Sequence, residues 1–61
     1  MKDEDVHIGS LVEIDAAGSL YHGNIGLVMY RYKQYIDTWC LLIGEEYLFF
    51  LSRDFKAIDE V

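Results

Sequence analysis

Sixty-one residues, 52% of them apolar, limit the chain to one domain, and a domain this short buries only about 60% of the surface its unfolded form exposes. Eleven acids against five bases give a net charge of −6. That sign argues against phosphate-rich partners and anionic membranes, because affinity for nucleic acid rests on Lys and Arg neutralising the backbone. Cys40 is the only cysteine, so a disulfide within the chain is excluded. His7, His22 and Cys40 also lack the spacing of a zinc site, and neither a metal nor another cofactor is expected.

The chain opens on Met1-Lys2-Asp3-Glu4-Asp5, an acidic stretch unlike a signal peptide. No apolar run approaches the roughly 20 residues that span a bilayer. With a single cysteine, a reducing cytoplasm is the expected setting. Residues 1–7 read as a charged arm that frays.

The first strand runs from Gly9 to Ile14 or Asp15. Its alternation sets Val12 and Ile14 inward against Leu11 and Glu13. A loop from Asp15 to Gly23 follows, bracketed by Gly18 and Gly23. The second strand extends from Asn24 to Tyr32. Gly26 within it marks a bulge or bend where another backbone comes close. Strict alternation puts Val28 and Tyr30 on one face and Leu27, Met29 and Arg31 on the other.

Lys33 to Asp37 form a turn. The third strand, Thr38 to Ile43, is dense in β-formers, and Gly44-Glu45 predict a type II′ hairpin into a fourth strand from Glu46 to Leu51. A helical reading of Tyr30 to Phe50 fails because these segments are β-rich and Gly44 breaks it. Ser52 to Phe55 read as a helical turn capped by Ser52. Lys56 to Ile58 make the last strand, and residues 59–61 form an acidic tail. Five short strands with turn signals between them indicate an all-β domain over residues 8–58.

No catalytic set emerges. Cys40 sits among apolar neighbours, where a small buried hydrophobe is expected rather than a nucleophile. His7 and His22 have no companion at a spacing that specifies a role. Glu45-Glu46 and Asp59-Glu60 are adjacent pairs whose side chains point apart. The segment Tyr30-Arg31-Tyr32-Lys33-Gln34-Tyr35 combines rings and cations near a hairpin tip, a pattern suited to binding.

The stronger signal is that both faces of the third and fourth strands are apolar. A sheet with one solvated face places polar residues there. The excess points to an interface, with Trp39, Leu41, Tyr47 and Phe49 outward. A one-residue slip of the fourth strand exchanges Tyr47 and Phe49 for Leu48 and Phe50. The competing explanation is a small barrel whose strong curvature covers both faces.

Gly9-x-Leu11-Val12 followed by Gly23-x-x-Gly26-x-Val28 resembles the opening of KOW-type and other SH3-like small barrels. The hairpin Trp39 to Glu46 and the closing segment Leu51 to Ile58 look like later parts of that fold. Free-standing barrels of this kind are familiar from tailed bacteriophages, including cyanophages. The resemblance implies a five-stranded SH3-like barrel with a short helical turn before the last strand. It also implies an accessory protein of the virion or of the host-cell cytoplasm. Unlike ribosomal and transcription-factor KOW domains, the chain is acidic, and it lacks the ligand-groove pattern of signalling SH3 domains.

The expectation is a non-enzymatic interaction module that binds another protein or a second copy of itself through Trp39, Leu41, Tyr47, Phe49, Tyr30, Tyr32 and Tyr35. The alternative is a nucleic-acid-associated module using Arg31 and Lys33.

Overall fold

The computed structural model describes residues 1–58; the acidic tail expected at 59–61 lies outside them. Five antiparallel strands form one sheet. They are β1 (Leu11–Ile14), β2 (Ile25–Arg31), β3 (Thr38–Ile43), β4 (Glu46–Leu51) and β5 (Phe55–Ala57). Short 3-10 turns at Asp3–Asp5 and Ser52–Asp54 precede β1 and β5. The five expected strands and the turn before the last one are therefore present, though Ser52 is the first residue of that turn and not its cap, and no side chain caps it. Their ends shift by one or two residues, the ordinary play at strand termini. The order across the sheet is β4-β3-β2-β1-β5. The edge strands β4 and β5 do not pair, so hydrogen bonding leaves the sheet open rather than closed into a barrel.

Gly44 explains the tight β3–β4 turn. Its φ is +62°, while Glu45 is not among the residues of positive φ. That combination is the type II′ turn, which matches the twist of the flanking strands. Ile43 faces Glu46 across it, and the ladder continues through Leu41–Leu48 and Trp39–Phe50.

One face of the sheet carries the core. Val12, Ile14, Val28, Trp39, Leu41, Ile43 and Phe55 cluster there with Val6 from the N-terminal arm. Directly opposed residues on neighbouring strands share a face. Val28 opposes Leu41, and Ile14 opposes Phe55. This register puts the odd-numbered residues of β3 inside. Trp39 (6% exposed) and Leu41 (0%) are core residues, which corrects their expected outward placement. Each buried side chain of this size contributes roughly 1.5–3 kcal/mol.

The bulge lies at Met29, not at Gly26. Val28 opposes Leu41 and Tyr30 opposes Cys40, leaving Met29 as the extra residue. Gly26 has a different function. A Cβ there would lie 3.2 Å from Ile43 Cγ1 and 3.4 Å from Leu41 Cβ. Glycine lets two core side chains settle directly on β2.

The bulge also overturns the strict alternation expected for β2. Tyr30 joins Leu27 on the outer face, and Arg31 opposes Trp39 on the inner one. There Arg31 meets the arm. Its guanidinium pairs with the Asp3 carboxylate and lies 5.4 Å from the centroid of the Trp39 ring. The Trp39 indole N–H donates to the other Asp3 oxygen at 2.6 Å. Val6 enters the core, and Gly9 N–H donates to Val28 O at 2.8 Å. The arm expected to fray is docked instead. Three groups of opposite or complementary character, spread across the chain, hold it in place.

Gly26→Val should destabilise the fold by about 1–3 kcal/mol through overpacking against Ile43 and Leu41, read as a lower denaturant midpoint. An unchanged midpoint would contradict the close packing over Gly26.

Arg31 and then Trp39 hold the Asp3 carboxyl below its ordinary value of 3.8. A folded-state value lowered in this way contributes stability that is fully present above the unfolded pKa. That stability is lost as pH falls through the folded value. Asp3→Asn should therefore lower stability near neutral pH and flatten its decline below about pH 4. Parallel acid-unfolding curves for the two proteins would refute the arm contact.

Candidate interaction surface

The face opposite the core is also apolar. Leu11, Leu27, Leu42 and Tyr47 stand in register across β1, β2, β3 and β4. The next row holds Tyr30, Cys40 and Phe49. Thr38 opposes Leu51 in the row beyond. Leu11 is 57% exposed, Tyr47 60%, Phe49 50% and Tyr30 46%. Scattered surface hydrophobes are ordinary, but a run across four strands is not.

The rings support one another. Tyr30 meets Phe49 edge-on at 6.4 Å, and Tyr32 lies 4.7 Å from Phe49. Tyr35 stacks on Tyr32 at 5.5 Å with planes 24° apart. The Tyr32 hydroxyl donates to Gln34 Oε1 at 2.7 Å, which fixes the ring over the turn. Aromatic pairs in these geometries contribute about 0.5–1.5 kcal/mol beyond area burial. Their order is built before any partner arrives, which lowers the entropic cost of binding.

Cys40 belongs to this face yet is fully buried. It lies on β3 between Tyr30 and Phe49, whose rings meet across it. Interaction with the Cys40 thiol is the first cause raising the Tyr30 phenol above its ordinary value of 10, followed by desolvation. The phenol is therefore neutral at physiological pH, and these rings present an uncharged surface.

Five of the seven expected contact residues thus share this side: Tyr30, Tyr32, Tyr35, Tyr47 and Phe49. Trp39 and Leu41 do not. The fourth-strand parity is settled in favour of Tyr47 and Phe49, while Leu48 and Phe50 pack against the core. Leu11, Leu27 and Leu42 extend the face, with Ile25 opposite Glu13 at its margin. The alternation of the first strand already set Leu11 opposite Val12, a signal that could have identified it.

The cations are divided. Arg31 is engaged with Asp3 and Trp39 on the inner side, whereas Lys33 is exposed in the turn after β2. The expected pair of phosphate-binding side chains is therefore not assembled beside the rings.

Elsewhere polar side chains tie loops and neighbouring strands together. His22 Nδ1 accepts from Ala16 N–H at 3.1 Å, pinning the loop. The Tyr21 hydroxyl donates to Glu46 Oε2 at 3.0 Å, and that carboxylate raises the Tyr21 pKa. An open groove of about 540 Å³ between Tyr21, Asn24, Ile43 and Glu45 holds neither a thiol nor an imidazole. Among the described residues, no group of three or more His, Cys, Asp or Glu side chains could hold a metal ion. No helix among them is long and apolar enough to cross a membrane.

No protein family, curated protein or solved structure shows significant similarity to the chain.

The lid over Cys40 can be tested by thiol chemistry. Native Cys40 should label slowly with an aromatic disulfide reagent, at a rate set by local opening. Tyr30→Ala should accelerate labelling at least about tenfold, equivalent to about 1.4 kcal/mol of opening free energy at 25 °C. Equal rates would show that the rings do not guard the thiol.

Proposed function

We propose that the chain is a non-enzymatic protein–protein interaction module. The observation that carries this reading is the apolar outer face, in which Tyr30, Tyr32 and Phe49 form one connected aromatic cluster. Exposed aromatic anchors on a rigid sheet supply most of the binding energy in many interfaces. The aromatic cluster itself carries no charged side chain, and the one ion pair on this face, Glu13–Lys56, lies at its β1–β5 end, which favours shape and burial over salt-dependent attraction at the cluster.

An SH3-like barrel is the finer fold reading. Its support is the order β4-β3-β2-β1-β5, with β1 shared between β2 and β5 and a single 3-10 turn leading into β5. On the resemblance of its glycine and hydrophobic pattern, the setting is that of a small phage accessory protein docking on a virion or host protein. The KOW-like alternative loses ground because Arg31 is held on the inner side by Asp3.

Photo-crosslinking discriminates between the readings. A photoreactive residue at Tyr47 or Tyr35 should capture one defined protein in the native setting, and the same residue at Glu4 on the arm should not. Phe49→Ser should weaken that purified partner by about 2 kcal/mol while leaving the folded monomer intact. Equal capture from both positions, or unchanged affinity, would overturn the outer-face reading. RNA or DNA binding at physiological salt that Lys33→Glu abolishes would favour the nucleic-acid module. Lys33 is the appropriate position because replacing Arg31 also disturbs the arm.

A further inference from the structure

The two edges of the sheet differ sharply. β5 is three residues long and carries Lys56, and both features discourage pairing with another chain. β4 is six residues, Glu46-Tyr47-Leu48-Phe49-Phe50-Leu51, with no lysine, arginine, proline or glycine. It therefore lacks most of the devices by which natural edge strands avoid association.

Its backbone direction can be read from the ladder. Ser52 N–H donates to Asp37 O at 2.8 Å, in the same register as the Ile43–Glu46 and Leu41–Leu48 pairs. Even-numbered residues of β4 thus bond to β3. In an antiparallel ladder the alternate residues point the other way. The N–H and C=O groups of Tyr47 and Phe49 consequently face the open edge, and among the described residues no hydrogen bond to another element engages them.

We propose that this edge pairs with β4 of a second copy of the chain. The two strands run antiparallel about a two-fold axis at Phe49. Phe49 opposes Phe49 of the other copy, and Tyr47 opposes its Leu51. All of the edge-facing amides and carbonyls of these residues then find reciprocal partners. The arrangement is closed, because each copy uses the long edge and the other described edge, β5, is three residues long.

Charge selects this register and the second copy as occupant. Glu45 stands at the entrance to β4, and Arg53 stands just beyond its end. Both are exposed, and neither forms an ion pair among the described residues. Asp54, beside Arg53, is half-buried. Antiparallel pairing at Phe49 sets the Glu45 end of each copy against the Arg53 end of the other, twice per dimer. The outer faces of the two copies also become one continuous ten-stranded surface, with the Tyr47 and Phe49 rows meeting at its centre. The pairing depends on the edge alone and stands whether or not the outer face binds another protein.

The test uses the full chain. Sedimentation over a concentration series should show a monomer–dimer equilibrium with no larger species. Amide exchange followed by NMR should show the Tyr47, Phe49 and Leu51 N–H groups becoming protected as the dimer forms. Glu45→Arg and Arg53→Glu, each alone, should weaken the dimer about tenfold by opposing like charges, in line with exposed pairs. The double variant should restore it.

A chain that stays monomeric to roughly millimolar concentration, where the free energy of association is only about −4 kcal/mol, would overturn the pairing. So would open-ended assembly. A dimer whose Tyr47 and Phe49 amides stay unprotected would place association on the outer face and refute edge pairing. A double variant no tighter than either single one would refute the register.

Discussion

A single extra residue in β2 decides what each side of this sheet presents. Without the bulge at Met29, Tyr30 would follow Val28 into the core and Arg31 would follow Leu27 outward. With it, Tyr30 stands over Cys40 and beside Phe49, while Arg31 reaches Trp39 and Asp3. A bulge bends and twists its strand and re-aims the side chains beyond it. Here it changes the residue on both faces at once. The outer aromatic cluster and the docking of the arm are two results of one register shift.

The arm completes a core that the strands alone leave short. The chain has no disulfide, and small domains commonly recruit some additional restraint. Val6 adds apolar burial, while Asp3 meets the indole N–H and the guanidinium together. The Trp39 N–H thereby gains an acceptor, and a buried indole left without one would cost its desolvation. The resources of the chain are spent on one face. The other is left with leucines and rings that water covers, which is the physical reason to look there for a partner.

Much of the architecture is legible in the amino-acid sequence. Turn chemistry at Gly44-Glu45, β-rich runs and short spacing locate all five strands. What alternation could not place is anything beyond an irregularity. Period-two reading of β2 is right through Val28 and inverted from Tyr30, because a bulge has no reliable residue signature. β3 is inverted relative to its expected orientation, with Trp39 and Leu41 inside, for a related reason: both its faces are apolar, so hydrophobicity cannot say which is inside. Pairing with Val28 decides it, and pairing is a property of the folded sheet. The docking of the arm is hidden for another reason, because its charge suggests solvation. Asp3 finds partners 28 and 36 residues away, a separation no local pattern reveals.

Those separations also bear on how the sheet comes together. β3 and β4 need close only a two-residue turn, whereas β5 must return to β1 across 45 residues at the Val12–Ala57 pair. The entropic cost of closing a loop rises with the logarithm of its length, and such non-local contacts slow folding. The β3–β4 hairpin is therefore the least costly piece to assemble. It is also the piece that carries the unguarded edge. During synthesis or refolding, that edge is available before the arm and β5 have covered the other side of the molecule, so the interval before those distant contacts form is when crowding by other unfolded chains matters most.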